Sequence, residues 1–404
     1  MTDVLFHVQH LWGIGHLTRT AALARACAEA GLKAVVVSGG RTVPGLELGS
    51  ARLVQLPAAW VADSRFDPVL DAEGRPIDAA WKKRRRADLL EILAALAPKV
   101  LVTEMYPFGR RKFRFELEPL LAAARARQPR PWIVSSIRDL LVEKPPERTL
   151  WMAETAERFY DLVLVHGDPA FVRLRDSFAQ AARVGRLLTY TGYIANPPMS
   201  PAEGGAGDLR QGNAGEGEVV VSAGGGAFGG PFLKVALAAR RLDRRAEVRW
   251  RILTGPNLPE AEFSDLTAAA PERTVVERSR RDFQALLARC RASISLGGYN
   301  TVLEVLGSGA PAVVAPFSGG QESEQLHRAR LLAARGLLEI VEEPDLTPER
   351  LARALSNAEE RGRRAPPQIE TRGAGISAGI IARLATEDPP PARPWRKGTV
   401  HERG

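Results

Sequence analysis

Apolar and polar residues follow two rhythms along this chain. Short β-branched and aliphatic runs bounded by glycine or polar turns read as buried strands. The stretches between them repeat apolar residues at i, i+3 and i+4, the spacing of one helical face. In the first half the runs predict strands at Val4 to Val8, Lys33 to Ser38, Val100 to Thr103, Trp132 to Ser136, Leu162 to His166 and Leu187 to Tyr190. In the second half they predict strands at Glu218 to Ser222, Val248 to Leu253, Thr274 to Glu277, Ala292 to Leu296, Ala312 to Ala315 and Leu338 to Val341. Strands separated by helices predict parallel sheets covered on both faces. The expected fold class is therefore α/β, with two doubly wound, Rossmann-like domains.

The rhythm stops once, in PPMSPAEGGAGDLRQGNAGEGE, a proline- and glycine-rich stretch with no apolar period to join a core. This places a first domain at 1–196, a flexible linker at 197–217 and a second domain at 218–386, the last closing with the helical segment GAGISAGIIARLATE. The polar, proline-rich residues 387–404 read as a disordered tail. A length of 404 residues, 45% of them hydrophobic, is enough for two cores of ordinary size.

Charge changes the picture only in part. The formal charge is +9, and basic residues concentrate at Lys82 to Asp88 and Gly109 to Glu116. Most of these read as solvated surface, but such runs also suit anions: a nucleotide diphosphate, a phosphorylated acceptor or an acidic membrane surface. They lack the interleaved aromatic residues of a nucleic-acid groove, so no nucleic-acid partner is expected. No apolar run approaches the roughly 18 residues that cross a bilayer, and the opening residues lack the marks of a signal peptide. A cytoplasmic protein is expected, with peripheral contact at the inner membrane left open. Cys27 and Cys290 read as buried thiols. Neither an Asp-x-Asp triplet nor a His/Cys cluster stands in the sequence, so no metal and no cofactor are expected.

Candidate chemistry gathers at three glycine-rich turns that follow predicted strands, where backbone amides can approach a phosphate at a helix start. They are Gly13-Ile14-Gly15-His16, Gly224-Gly225-Gly226 and Gly297-Gly298. After the third, Asn300 and Thr301 open a helix, and Glu304 falls on their face one turn later. A carboxylate there either aids the helix dipole or accepts hydrogen bonds from a ribose diol. His16 either orients the first helix or, as a histidine titrating near neutrality, takes a proton from an attacking hydroxyl. Glu104 and Asp139 each follow a predicted strand, so either can serve as base, orient His16 or cap a helix. Arg110 and Arg111 suit a phosphate or plain surface. His7, His10 and His327 read as structural or surface residues.

The succession GGYNTxxE, GxP, PF and EQxxRA resembles the donor-binding motif of MurG-like GT-B glycosyltransferases, which have a family 28 type C-terminal domain. GIGHLTRTAALARACAEAG looks like the glycine–histidine turn and helix that open the same family, although Leu17-Thr18-Arg19 stands where relatives commonly carry a proline. The segments TEMYPFGRRKFRFEL, SIRDLLVEK, LVHGDP and TYTGY look like a bacterial branch of that superfamily. The resemblance implies two domains facing a central cleft. It assigns Glu304 to the ribose, Gly298, Asn300 and Thr301 to the diphosphate, and Glu324 and Gln325 to the transferred sugar; Gly224 and Gly225 join this donor site through their glycine-rich turn after a strand. On the acceptor side it implies a histidine or a nearby acidic residue facing the acceptor, here His16; the strand-end positions of Asp139 and Glu104 make either a candidate helper, with Gly13, Gly15 and Arg110 in a phosphate or acceptor loop. The implied reaction is metal-independent, inverting transfer from a UDP-sugar to a hydroxyl acceptor, phosphorylated and lipid-linked acceptors included. Two other readings fit the same residues: a UDP-sugar 2-epimerase or nucleotide-sugar hydrolase, and a non-catalytic nucleotide-sugar-binding protein.

Overall fold

The computed structural model describes residues 2–11, 13–62, 67–194, 213–224, 229–255, 258–280, 282–317, 323–389 and 391. The chain divides into two compact units: residues 1–194 with 370–404, and residues 195–369. Gly225, residues 197–212 of the expected linker, and most of the expected tail lie outside the described residues.

Unit 1 is built on a seven-stranded sheet in the order β3-β2-β1-β4-β5-β6-β7. Its strands are β1 (Val4–Val8), β2 (Ala34–Ser38), β3 (Arg52–Gln55), β4 (Val100–Glu104), β5 (Trp132–Arg138), β6 (Leu162–His166) and β7 (Leu188–Tyr190), all paired in parallel. The crossovers carry α1 (Gly15–Glu29), α2 (Ala79–Leu96), α3 (Arg114–Ala126) and α4 (Pro146–Phe159). β1 is buried throughout, and its side chains divide by parity. Val4, Phe6 and Val8 join Leu17, Ala21 and Ala24 of α1, whereas Leu5 joins Leu89 and Leu93 of α2 and Leu117 of α3. β3 was not anticipated: most of it is exposed, and an edge strand with one wet face shows no apolar run.

Unit 2 carries a six-stranded sheet in the order β10-β9-β8-β11-β12-β13. Its strands are β8 (Val219–Ser222), β9 (Trp250–Thr254), β10 (Thr274–Arg278), β11 (Ala292–Leu296), β12 (Ala312–Ala315) and β13 (Glu339–Ile340), again all parallel. Around it lie α5 (Gly230–Leu242), α6 (Glu260–Ala268), α7 (Phe283–Arg289), α8 (Tyr299–Ser308), α9 (Ser323–Ala334) and α10 (Pro348–Arg361). The start of α10 is written in sequence: the Thr347 hydroxyl accepts the Arg350 N–H at 3.2 Å, and Pro348 occupies the first turn. Leu351, Ala354, Leu355 and Ala358 make the buried stripe of α10. Residues 213–217, counted with the linker from sequence, form a turn in which the Gly215 N–H reaches the Glu218 carboxylate at 3.0 Å.

The final helix, α11 (Gly373–Leu384), corrects the expected domain boundary. Instead of closing the second domain it returns to unit 1, where Ala378, Ile381 and Leu384 pack with Leu17, Ala24 and Cys27. Its start is locked by backbone bonds from Tyr193 N to Glu370 O at 2.7 Å and from Gly373 N to Tyr193 O at 2.9 Å. A Cβ at Gly373 would collide with the carbonyls of Gly192 and Tyr193, so this crossing tolerates only glycine.

The basic run of α2 is also divided by burial. Arg85 is fully buried and forms a two-pronged pair with Glu116, Nε to Oε2 at 2.8 Å and Nη2 to Oε1 at 2.9 Å. Lys83, Arg84 and Arg86 remain exposed. Because α11 fills the face of unit 1 that α1 covers, Ile381→Ala should lower the stability of unit 1 by about 2–5 kcal/mol. Chemical denaturation would read that loss, with hydrogen exchange accelerating in α1.

Candidate functional site

In each sheet the strand order reverses beside the first strand, and ligands of such folds sit beyond the strand ends at that reversal. In unit 1 the reversal lies between β1 and β4, and in unit 2 between β8 and β11. All three glycine-rich turns read from the sequence follow these strands.

In unit 1, His16 stands in the first turn of α1, and its Nδ1 lies 3.0 Å from Oε1 of Glu104, the last residue of β4. Glu104 is only 3% exposed. Arg19, one turn further along α1, donates to the same oxygen, and the Ser136 hydroxyl donates to Oε2 at 2.8 Å. A carboxylate accepts, so this contact is served by Nδ1–H with the lone pair on Nε2, while Arg19 Nη2 also comes within 3.3 Å of Nδ1. Arg138, at the end of β5, brings Nη2 to 3.5 Å from that Nε2. Arg110 completes the cluster; its Nε donates to the Gln9 carbonyl from a left-handed backbone position, φ 58°.

Burial holds the His16 imidazole well below its ordinary pKa of 6.5, and repulsion from Arg110, Arg138, Arg19 and His10 adds to the effect. Arg110 itself is pushed down to about 10, again mainly by burial, with Arg138 and Arg19 opposing the pull of Glu104. The site thus combines a neutral imidazole, one buried carboxylate and three guanidiniums. Its chemistry suits proton removal from a group that enters beside a negative charge.

Gly13 and Gly15 are exposed, and a Cβ at Gly15 would meet only the Arg138 guanidinium, at 3.8 Å. Asp139 takes a different place from the one expected. It is fully buried, and its carboxylate accepts the Leu140 N–H at 2.9 Å and the Tyr193 hydroxyl at 3.0 Å. Its position at the end of a strand is as the sequence indicates, but its bonds secure the segment leading to α11. Glu104 is the carboxylate brought to His16.

In unit 2, Gly224 follows β8 with φ +68°, a left-handed turn that favours glycine, and its N–H reaches the Ser222 hydroxyl at 3.2 Å. The Thr301 hydroxyl lies 3.5 Å from where a Cβ of Gly224 would stand and 3.8 Å from the same point on Gly298. Gly298 is the N-cap of α8; no side chain caps this start and no acidic residue occupies its first turn. Asn300 is exposed there. These features leave amides and small polar groups at a helix N-terminus, the environment a phosphate takes.

Glu304 follows on α8, half-buried, and burial raises its carboxyl while a bond from Gln284 opposes the shift. That bond runs from Gln284 Nε2 to Glu304 Oε1 at 3.5 Å. The predicted sugar residues open α9. Gln325 packs beside Gly297, and Glu324 accepts Nη2 of Arg328 at 2.9 Å. The Arg328 guanidinium also lies 5.2 Å from the Tyr299 ring centre.

Sequence reasoning missed Arg19, Ser136 and Arg138 in unit 1 and Gln284 and Arg328 in unit 2. Arg19 was legible as the i+3 neighbour of His16, and Arg328 lay inside the EQxxRA motif. Gln284 carried no signal, because it approaches Glu304 from another helix. Among the described residues no three His, Cys, Asp or Glu side chains converge to hold a metal ion, and no helix is long and apolar enough to cross a membrane.

The arginines give His16 a testable titration. Its protonated form is disfavoured in the folded chain, so it should remain neutral as pH falls through 6.5. The stability that this depressed value contributes is present above the unfolded value and is lost as pH falls through the folded one. Replacing Arg138 by Gln removes one repelling cation and should move the His16 midpoint back up toward 6.5, read from its imidazole proton resonances.

Residues 225–376 match the glycosyltransferase family 28 C-terminal domain. Over 107 residues the chain is 34% identical to the UDP-N-acetylglucosamine--N-acetylmuramyl-(pentapeptide) pyrophosphoryl-undecaprenol N-acetylglucosamine transferase of Brucella canis. That match covers 26% of this chain and 28% of the relative, so it spans little more than a quarter of the relative's length. Among solved structures, MurG of Acinetobacter baumannii superposes with a TM-score of 0.57 at 14% identity, over 95% of this chain and all of that one. A Listeria monocytogenes protein described as a UDP-N-acetylglucosamine 2-epimerase superposes with a TM-score of 0.58 at 13% identity, over 96% of this chain and 99% of its own. The chain therefore has the two-domain GT-B fold, and residues 225–376 of its second half match the glycosyltransferase family 28 C-terminal domain.

Proposed function

We propose that this protein is a glycosyltransferase that moves a sugar from a nucleoside diphosphate donor, UDP-linked by its resemblance, to a hydroxyl acceptor. The observation that carries the reading is the grouping of Gly224, Gly298, Thr301 and Glu304 at the reversal of the second sheet. Within the reading, the N–H groups that open α8 receive the diphosphate, and Asn300 and Thr301 add polar contacts. Glu304 accepts the ribose hydroxyls, and Gln325 with the Glu324–Arg328 pair faces the sugar. Gly225 joins the donor site by its place in the glycine-rich turn read from the sequence.

On the acceptor side, His16 Nε2 takes the proton of the attacking hydroxyl. The resulting oxygen forms a bond to the anomeric carbon, the bond from that carbon to the phosphate oxygen breaks, and the sugar is transferred with inversion. The imidazolium that forms is stabilised by Glu104. Charge on the departing diphosphate falls to the helix N-terminus and to guanidinium groups, so the proposed route needs no metal or other cofactor. Arg110, Arg138 and Arg19 fit an acceptor that carries phosphate near the reacting hydroxyl. The Brucella relative is named for a pyrophosphoryl-undecaprenol acceptor, and a lipid-linked acceptor is the corresponding proposal here. A cytoplasmic protein in peripheral contact with the inner membrane is consistent with it, the exposed Lys83, Arg84 and Arg86 facing acidic headgroups.

The 2-epimerase fold match supports a second use of the same donor residues, isomerisation or hydrolysis without an acceptor. The family 28 match favours transfer. Isothermal titration with UDP tests the donor site. The wild type should bind, Glu304→Ala should weaken binding by about tenfold or more, and His16→Ala should leave it within about twofold. Absence of UDP binding to the wild type contradicts the proposal.

A further inference from the structure

Four sequence segments have no role in the donor site: TEMYPFGRRKFRFEL, SIRDLLVEK, LVHGDP and TYTGY. The fold brings one polar residue from each to the carboxyl ends of adjacent strands. Glu104 ends β4, Ser136 lies near the end of β5, His166 ends β6 and Thr191 follows β7. Ser136 and Thr191 are each 1% exposed, and His166 is fully buried.

Their hydrogen bonds form one continuous line. The Ser136 hydroxyl lies 2.8 Å from Glu104 Oε2 and 2.8 Å from His166 Nε2, and His166 Nδ1 lies 2.9 Å from the Thr191 hydroxyl. At the other end, Glu104 Oε1 receives His16 Nδ1 and Arg19. A carboxylate only accepts, so the single Ser136 proton goes to Glu104, and Ser136 must then accept from His166. His166 therefore carries its proton on Nε2, and its Nδ1 can accept from Thr191, whose hydroxyl also faces the Gly192 carbonyl at 3.2 Å. The line runs from Thr191 through His166 and Ser136 to Glu104, and His16 donates to Glu104 from the opposite side.

We infer that Ser136 and His166 are positioning residues which, through Glu104, fix the His16 tautomer that leaves Nε2 open to the acceptor hydroxyl. The inference rests on the proposed role of His16 as base. Two features make the line suited to that task. Each strand end is anchored in a parallel sheet, so the partners cannot drift independently. The line also leaves neither Glu104 oxygen without a donor: Ser136 holds Oε2, which keeps Oε1 aimed at His16 and Arg19. Burial keeps the His166 imidazole well below its ordinary pKa, with Arg19 adding repulsion, so the line stays ordered with a neutral ring. Without Ser136, the Glu104 carboxyl can rotate and Arg19 can hold it alone. His16 would then be free to adopt the other tautomer, with its proton on Nε2 and no lone pair for the acceptor.

Long-range proton–nitrogen NMR of histidine-labelled full-length protein near pH ~8 tests this without donor or acceptor, because it distinguishes the two neutral imidazole tautomers. In the wild type, His16 should carry its proton on Nδ1 and His166 on Nε2. Ser136→Ala should give His16 a mixture of tautomers, whereas Ser136→Thr, which keeps the hydroxyl, should restore the single form. His166→Leu should act like Ser136→Ala. His166→Gln, whose amide can donate to Ser136 and accept from Thr191, should preserve the His16 tautomer. Backbone amide spectra of the same samples report folding of unit 1, and UDP affinity, which should be unchanged by all four substitutions, tests the donor reading separately. A wild-type His16 protonated on Nε2 overturns the inference. So does a His16 tautomer that Ser136→Ala and His166→Leu leave unchanged in folded protein.

Discussion

Reversal of strand order beside the first strand of each sheet is the constraint on which both candidate sites depend. In unit 1 the chain leaves β1 for α1 on one face and leaves β4 for α3 on the other, as the separate cores around Val4 and Leu5 record. Chain segments that diverge at adjacent strand ends leave a gap that neither covers, and polar groups can face it without losing every partner. His16 and Glu104 are brought together in this way from 88 residues apart. In unit 2 the same reversal sets Gly224 beside Thr301. Core packing elsewhere secures these strand ends, and α11 contributes to it by completing one face of unit 1 after a long excursion of the chain.

Electrostatics then decides what the unit 1 site can do. A carboxylate that is nearly out of water costs several kcal/mol to bury unless donors surround it. Glu104 has them in Arg19, Ser136 and His16. Burial keeps His16 neutral, and repulsion from the nearby Arg110, Arg138 and Arg19 adds to it. A neutral imidazole is ready to accept a proton but is a weaker base for being held low. An incoming anion would offset the guanidinium charge and raise that basicity as the acceptor arrives.

The donor residues were the most legible part of the sequence, because glycines after strands, a helix start and a carboxylate one turn later are all local in the chain. Strand ends and helix spacing were enough to single out Gly224, Gly298 and Thr301, whereas the assignment of Glu304 to a ribose came from the family resemblance. The unit 1 site was half legible. His16 announced itself by its turn, but the choice between Glu104 and Asp139 could not be made from two similar strand ends. It depended on Tyr193 claiming Asp139 and on Ser136 and Arg19 claiming Glu104, contacts between distant segments. Arg85 illustrates the same limit, since its place in a basic run hid a fully buried pair with Glu116. α11 was recognised as a helix, but its apolar stripe could not say which sheet it would cover. β3 escaped because an exposed edge strand has no apolar signature.

The central claim is that the donor residues of unit 2 and the His16–Glu104 pair of unit 1 serve one transfer reaction. Mass-spectrometric product analysis tests it most directly, with a panel of nucleotide sugars offered together with phosphorylated, lipid-linked and simple hydroxyl acceptors. Wild type would be compared with Glu304→Ala and Glu104→Ala. The account predicts that one donor yields a nucleoside diphosphate and a glycosylated acceptor, and that both substitutions abolish the product. An isomerised sugar or free sugar formed without any acceptor, still dependent on Glu304, would contradict it and assign the donor site to epimerase or hydrolase chemistry.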